Sequence, residues 1–251
     1  MKAYAKIAVC VMLASVFAAC RTTTTFPTGI EKLLVRMKKK VDPLDKLKDI
    51  KTKVVTGKLI RNSKDKNSTV TLQIKNPDLI RFDIVVPGQF TLIKAYDGKT
   101  GWVYNTKTGY SQLEGYPLNF LKFQAGYLNP ERDFRKLFSK IKFTGKEKVA
   151  GYDCYKLLCI PKEEYGIKPI TLYVDKDSAL IRKRISTQGN EKTGYFEIDT
   201  ILDDYRDVDG ILVPFQVISK IKDNLMEFNV TSVTWNEIFD DSVFTPPEKL
   251  K

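Results

Sequence analysis

The chain has 251 residues, carries 42 Lys and Arg against 30 Asp and Glu, and contains no histidine. The absence of histidine removes the commonest general base and the commonest metal ligand. It excludes Ser-His-Asp and Cys-His catalytic centres. The formal net charge of +12 favours attraction to an anionic surface. No nucleic-acid-binding motif accompanies that charge, so we expect no nucleic-acid partner.

The first 19 residues have the pattern of a secretion signal. Lys2 and Lys6 precede an apolar run over residues 7–19 that only Ser15 interrupts. That run is shorter than the roughly 20 residues of a membrane-spanning helix, and it ends in small residues. We therefore predict a signal peptide over residues 1–19.

A cysteine follows the predicted cleavage site. The sequence Phe-Ala-Ala-Cys at 17–20 resembles the lipobox of bacterial lipoproteins, although Phe17 replaces the usual leucine. The resemblance implies cleavage before Cys20 and acylation of Cys20, with residues 20–29 forming the lipidated cysteine and its tether. The alternative is an ordinary signal peptide followed by a chance cysteine. Cleavage removes Lys2 and Lys6 and lowers the net charge from +12 to +10.

An amphipathic helix is predicted next. Ile30, Leu33, Leu34, Met37 and Val41 recur at helical spacing, with basic residues on the opposite side and Pro43 after them. Two interpretations remain open at this point. The helix packs on a sheet with a solvated basic face, or it lies on the membrane beside the anchor.

The period then changes to two, which predicts an antiparallel meander. Alternating apolar residues mark about eleven strands between residues 70 and 230. An aromatic-rich helical segment over residues 117–128 interrupts them, followed by a helix whose apolar side includes Phe134, Leu137, Phe138 and Ile141. No linker is evident, so residues 30–251 form one domain. The expected fold class is mainly β, or α+β.

Candidate chemical sites are few. Asp203, Asp204, Asp207 and Asp209 precede Gly210, but the positions where a calcium-binding loop needs ligands hold Tyr205 and Gln216. We therefore expect an acidic turn, no metal and no cofactor. Cys154 and Cys159 lie five residues apart in one predicted strand, too far for a disulfide unless a bulge intervenes. We expect two buried free thiols.

The order of the parts resembles the LolA/LolB-like superfamily of envelope lipoprotein carriers. The shared features are the first helix, the strand ends at 96–98 and 101–104, the blocks at 149–157 and 172–182, the turn at 209–214, and the segment from Trp235 to Pro247. The resemblance implies a single antiparallel half-barrel whose helices cover a hydrophobic cavity on its concave face.

That resemblance implies a non-enzymatic, membrane-anchored envelope lipoprotein that binds acyl chains of lipids or lipoproteins and takes part in their transfer. The expected location is the outer membrane facing the periplasm, and the expected state is a monomer. The alternative is an envelope interaction or stress-sensing protein with the same fold and a protein partner. The expected cavity residues are Phe82, Ile84, Leu92, Trp102, Phe120, Phe123, Phe134, Phe138, Phe196, Phe215 and Phe228. Phe90, beside the Pro87-Gly88 turn, is the candidate for a membrane-facing loop.

Overall fold

The computed structural model describes residues 27–61, 68–129, 133–192 and 194–248. The predicted signal peptide, Cys20 and most of the predicted tether lie outside these ranges. The strands are β1 (Thr52–Ile60), β2 (Thr69–Lys75), β3 (Leu79–Val86), β4 (Phe90–Tyr96), β5 (Gly101–Asn105), β6 (Gly109–Gln112), β7 (Phe138–Val149), β8 (Tyr152–Pro161), β9 (Ile170–Asp175), β10 (Ile181–Asn190), β11 (Gly194–Val208), β12 (Ile211–Ile221) and β13 (Asn224–Trp235). The helices are α1 (Thr28–Val41), α2 (Gly115–Leu128) and α3 (Phe134–Leu137), and short 3-10 helices cover Lys46–Asp49, Glu163–Tyr165 and Asp241–Phe244.

All thirteen strands belong to one sheet with the order β6-β5-β4-β3-β2-β1-β13-β12-β11-β10-β9-β8-β7. Each pair of neighbours is antiparallel. The sheet therefore consists of two meanders, β1–β6 and β7–β13, which join where β1 pairs with β13. The predicted mainly β, antiparallel fold class is confirmed.

One face of the sheet surrounds a cavity, and we call it the concave face. Residues opposite each other in an antiparallel pair point to the same face. Phe82 of β3 lines the cavity, so its partners Leu72 and Lys94 also belong to the concave face. Arg81 lies on the opposite, convex face together with its partner Ala95.

Helix α1 packs on the concave face against β7 and β12. Its stripe of Ile30, Leu33, Leu34 and Met37 is buried. Arg36 lies on its polar side, where the guanidinium donates a hydrogen bond of 3.1 Å to the carbonyl of Lys176. The predicted amphipathic helix therefore exists and is packed against the sheet.

Helix α2 connects the two meanders across the concave face. On one side Phe123 and Tyr127 join a core cluster with α1 and with strands β7–β10. On the other side Leu121 and Ala125 join a cluster on β2, β3 and β4. Both halves of the sheet thus depend on one helix, which closes the cavity from above.

The C-terminal 3-10 helix covers part of the convex face. Phe244 is fully buried, and its carbonyl accepts a 2.7 Å hydrogen bond from the indole N–H of Trp102. Arg81 donates to the neighbouring carbonyl of Val243 at 2.6 Å. The segment therefore holds β3 and β5 from outside and shields Trp102 from solvent.

The sheet has 13 strands instead of about eleven, because two strands lack the signal on which the prediction depended. In β1 the register shifts between Thr56 and Gly57, which interrupts the period of two. Strand β6 is a four-residue edge strand with no buried residue. Without a buried face, β6 has no alternation of apolar and polar residues that could mark it as a strand.

The helix predicted through Phe134, Leu137, Phe138 and Ile141 is shorter than expected. Helix α3 ends at Leu137, and Phe138 and Ile141 are buried residues of β7. Apolar residues three or four positions apart fit one face of a helix. In β7, however, the register shifts between Phe138 and Lys140, and this shift allows Phe138 and Ile141 to be buried in the same strand. The sequence Asn-Pro-Glu at 129–131 also predicts a helix start, and residues 130 and 131 of it lie outside the described ranges.

Candidate functional site: an apolar cavity in the curved sheet

A cavity of about 960 Å³ lies between the sheet and the helices and is partly open to solvent. Pockets that hold ligands typically measure about 300–1,000 Å³. Its floor and walls come from seven strands: β1, β2, β3, β10, β11, β12 and β13. The three helices supply the remaining sides. A sheet whose concave residues surround one cavity, with helices above it, has the half-barrel architecture that the sequence predicted.

The walls are mostly aliphatic and aromatic. The apolar side chains include Val55, Leu59, Val70, Leu72, Phe82, Ile84, Ile198, Leu202, Val217, Ile221, Met226, Phe228 and Val230. Helices α1, α2 and α3 add Leu34, Tyr127 and Phe134. This surface offers apolar contacts along its length, which suits a flexible hydrocarbon chain better than a rigid polar molecule.

Four of the predicted cavity residues line this cavity: Phe82, Ile84, Phe134 and Phe228. Phe120 lines a smaller pocket beside it. Phe123 of α2 and Phe138 of β7 contact each other inside a core cluster, where both are buried and do not reach the cavity.

The other predicted residues lie outside the cavity wall. Trp102 is on the convex face, under Phe244. Leu92 pairs with Ile84 on the concave face, and Phe196 pairs with Gln188 near the β10–β11 turn, but neither belongs to the lining. The ring of Phe215 lies 4.6 Å from the exposed guanidinium of Arg206. The binding role of the whole set stays a prediction.

Phe90 begins β4, directly after the β3–β4 turn. Its ring lies between two cations, the guanidinium of Arg61 at 5.2 Å and the ammonium of Lys107 at 5.8 Å from the ring centre. An aromatic ring flanked by basic groups suits the interface of an anionic membrane. The structure thus places Phe90 at an end of the sheet, and its contact with a membrane stays a prediction.

The cavity lining is strongly basic for an apolar site. Among the described residues its lining contains the cations Lys38, Lys48, Lys53, Arg135, Lys136 and Arg184 and the carboxylate Asp133. Two of these cations, Lys38 and Arg135, also pair with carboxylates outside the lining, Asp45 and Glu31. Arg184 faces the interior because the register shifts between Ile181 and Lys183, which reverses the faces that simple alternation predicts. The guanidinium of Arg184 lies 5.3 Å from the ring centre of Tyr127, and its Nε atom is buried without a hydrogen-bond acceptor among the described residues.

The acidic residues near Gly210 have structural partners. Asp203 pairs with the buried Arg182 at 3.1 Å, and Asp204 pairs with Arg206 at 2.5 Å. Asp207 accepts a hydrogen bond from the backbone N–H of Gly210 in the β11–β12 turn. Within the described ranges, no three His, Cys, Asp or Glu side chains are grouped as metal ligands.

Cys154 and Cys159 are both buried and free, as the sequence predicted. Burial raises the pKa of the Cys154 thiol to about 11 and raises that of Cys159 further. Neither thiol is activated as a nucleophile, because a reactive cysteine needs a lowered pKa. In the part of the chain that the structure describes, no helix is both long and apolar enough to cross a bilayer.

Comparison with solved structures supports the half-barrel assignment. A DUF1329 family protein from Desulfovibrio piger superposes with a TM-score of 0.58 at 17% sequence identity, covering 90% of this chain and 100% of that one. A LolA superfamily protein from Nitrosomonas europaea has a TM-score of 0.54 at 12% identity, with 86% and 97% of the chains covered. A putative outer membrane lipoprotein-sorting protein domain from Vibrio parahaemolyticus has a TM-score of 0.52 at 14% identity, with coverages of 85% and 94%.

These likenesses confirm at the level of the fold the LolA/LolB-like resemblance predicted from the sequence. At identities of 12–17% they establish the fold alone. No protein-family model and no curated protein sequence matches the chain.

Two inward-facing cations were missed from the sequence. In β4, Leu92, Lys94 and Tyr96 occupy alternate positions and so point to the same face of the sheet. The sequence pattern could therefore have shown that Lys94 is a charged residue on the inward face. Arg184 had no such signal, because its direction depends on the register shift in β10.

Proposed function

We propose that this protein is a non-enzymatic lipoprotein of the bacterial cell envelope that binds acyl chains in its half-barrel cavity and passes them on. The observation that carries this proposal is the partly open apolar cavity of about 960 Å³. Two structures of the same fold are described as a LolA superfamily protein and as an outer membrane lipoprotein-sorting protein domain. That likeness supports a carrier role and a location in the envelope.

The energetics of chain burial fit reversible capture. Burying a methylene group is worth about 0.8 kcal/mol, so a sixteen-carbon chain supplies about 12 kcal/mol of gross driving force. Association and chain ordering cost an estimated 4–15 kcal/mol. The net affinity is then moderate, and a carrier needs moderate affinity because it must also release its cargo.

The predicted anchor fits the same role. Because α1 begins at Thr28, residues 21–27 separate it from Cys20. If those seven residues form the predicted tether, their r.m.s. reach is about 13–16 Å. A lipidated Cys20 would then hold the cavity close to the bilayer, with Phe90 and its flanking cations available to meet an anionic membrane surface.

The test compares two tryptophan variants of β12. Val217 lines the cavity, whereas its neighbour Ile218 does not. Val217→Trp should therefore reduce both copurified lipid, measured by mass spectrometry of extracts, and binding of a fluorescent fatty-acid probe. Ile218→Trp should leave both unchanged. Equal behaviour of the two variants, or wild-type protein that carries no lipid and binds no probe, contradicts the proposal.

A Cys20→Ala variant tests the anchor separately. The variant should leave the membrane fraction and still bind the probe, because the cavity is formed by residues after the tether. A folded variant that no longer binds would show that the body is not an independent carrier. Normal binding with no effect on lipoprotein transfer would instead favour the interaction or sensing role.

A further inference from the structure

Lys94 is a lysine on the apolar face of the sheet. It pairs with Phe82 of β3 and with Val103 of β5, and Phe82 lines the main cavity. The ammonium group therefore belongs to the interior side of β4. Lysine is rarely placed on such a face without a charged partner.

The Lys94 side chain lines a small, partly open pocket of about 160 Å³. Helix α2 contributes Tyr116, Pro117 and Phe120, and the end of β10 contributes Gln188, Gly189 and Asn190. Gln188 also lines the main cavity, so the small pocket adjoins it. The two spaces together form an apolar chamber with a polar compartment at one side.

The polar compartment is held in place by Tyr116. Its hydroxyl donates a hydrogen bond of 3.0 Å to the carbonyl of Thr187 and accepts one from the backbone N–H of Lys168 at 3.3 Å. These bonds tie α2 to the end of β10 and to the segment before β9. The compartment is therefore a built feature and does not depend on mobile surface side chains.

Lys94 has neither a carboxylate nor a hydrogen-bond acceptor as partner among the described residues. Burial lowers the pKa of Lys94 to about 8, which leaves the ammonium mostly protonated at neutral pH. A buried cation without a counter-charge is costly to the fold. The side chain keeps some accessible surface, so an anion entering the pocket can reach it.

The main cavity has a second such group. The buried Nε of Arg184, which lines that cavity, has no hydrogen-bond acceptor among the described residues. Lys38 and Arg135 of the same lining are instead paired with Asp45 and Glu31. A ligand that brings a negative charge is therefore favoured beside Lys94 and Arg184.

We propose that the pocket at Lys94 binds the acidic headgroup of an amphiphile, a carboxylate or a phosphate, while the acyl chain of the same molecule occupies the main cavity. This inference rests on the proposed function, because it requires that the main cavity accepts a chain. It adds the chemical class of the ligand: a chain with an anionic end.

The test uses two twelve-carbon probes below their micelle-forming concentrations. Dodecanesulfonate keeps its negative charge at every pH of the assay, and dodecanol is the neutral match. Wild type is compared with Lys94→Met, which keeps the length of the side chain without its charge, and with Lys94→Arg, which keeps the charge. Lys99→Met is the control, because Lys99 is an exposed lysine in the turn after β4.

Lys94→Met should weaken dodecanesulfonate binding at least about tenfold, the size of a lost charge-assisted hydrogen bond. It should leave dodecanol binding unchanged, and Lys94→Arg and Lys99→Met should bind both probes like wild type. A Lys94→Met variant that binds dodecanesulfonate as tightly as wild type overturns the inference and leaves the proposed function intact. Failure of both probes to bind wild type overturns the proposed function itself.

The pH profile supplies a second readout. Wild-type affinity for dodecanesulfonate should fall as the pH rises above about 8, because Lys94 then loses its proton; the Lys94→Arg variant should show no such fall. Tyr116 of α2 has a pKa that burial raises. The strand partners of Lys94, Phe82 and Val103, carry no ionisable group, and neither does Gln188 of β10. Lys122, also on α2, lies over the ring of Tyr96. A parallel fall in both proteins would contradict the role of Lys94.

Lipid extracts distinguish the two sources of such a headgroup. If the ligand is a free fatty acid, Lys94→Met should copurify with less fatty acid than wild type does. If it is an acidic phospholipid, the loss should appear in phosphatidic acid or phosphatidylglycerol instead. An unchanged ratio of acidic to neutral lipid would argue against the inference.

Discussion

Affinity for a series of neutral n-alcohols from eight to sixteen carbons should rise steadily with chain length. Each methylene that enters the cavity is worth about 0.8 kcal/mol, which corresponds to roughly a fourfold gain in affinity. The cavity of about 960 Å³ is equivalent to about thirty water molecules at roughly 30 Å³ each. Because a methylene group is similar in size to a water molecule, one sixteen-carbon chain fits with space remaining.

The assay is displacement of a fluorescent fatty-acid probe by each alcohol, with wild type and the Val217→Trp and Ile218→Trp variants side by side. Wild type and Ile218→Trp should keep the same increment to sixteen carbons. In Val217→Trp the affinity should stop rising at a shorter chain length than in wild type, because the indole ring occupies part of the cavity. An affinity independent of chain length in wild type would refute the reasoning, since it would place the chain on the surface.

Three further predictions concern the body of the fold. Asp175→Asn should lower the free energy of unfolding by about 2–3 kcal/mol, because Arg182 is buried and would keep only Asp203 as an ion-pair partner among the described residues. Burial raises the pKa of Asp175, but hydrogen bonds from Ser178, the Asp177 N–H and Arg182 lower it by more. The ionised carboxylate therefore contributes its full stabilisation of the fold above about pH 4, and that contribution is lost as the pH falls through the folded-state pKa. Urea unfolding at pH 7 and pH 3 should therefore show a smaller acid loss in the variant than in wild type. Phe244→Ala should lower the free energy of unfolding, measured with a chemical denaturant, by about 3–5 kcal/mol. Phe239→Ala removes the partly exposed ring of the same aromatic contact and should lower it clearly less. Cys154 and Cys159 should react with a thiol reagent at pH 8 only after denaturation, because both are buried and their pKa values are raised; rapid labelling of the native protein would contradict the structure.

Much of the fold could be predicted from the sequence, because alternation and turn residues specify strands locally. Strands such as β3, with Ile80, Phe82 and Ile84 on one face, show a clear period of two. Where the register shifts, as at Gly57 in β1, the pattern breaks although the strand continues. A β-carbon at Gly57 would lie 2.3 Å from the carbonyl oxygen of Asn229, so this position depends on a contact between strands that no local pattern contains.

The cavity was harder to predict than the sheet that forms it. Trp102 and Phe82 are both large aromatic residues at positions of strands that alternate in the sequence. Phe82 lines the cavity, whereas Trp102 is buried on the convex face by the C-terminal segment. Which face a distant segment covers depends on long-range packing, so size and hydrophobicity alone cannot separate a cavity wall from a filled core.

The size of the cavity argues that it does not stay empty. An apolar void costs about 24 cal/mol per Å³ in core mutants, so 960 Å³ of dry space would cost about 23 kcal/mol. Folded domains are stable by only about 5–15 kcal/mol, so the interior must hold water or a ligand. Thr200 and Ser219, whose hydroxyl oxygens are 3.3 Å apart on the floor, offer water partners, whereas Phe82 and Phe228 offer none. Water along the apolar walls is therefore weakly held, and its replacement by a hydrocarbon chain would supply the driving force for the reversible capture that we propose.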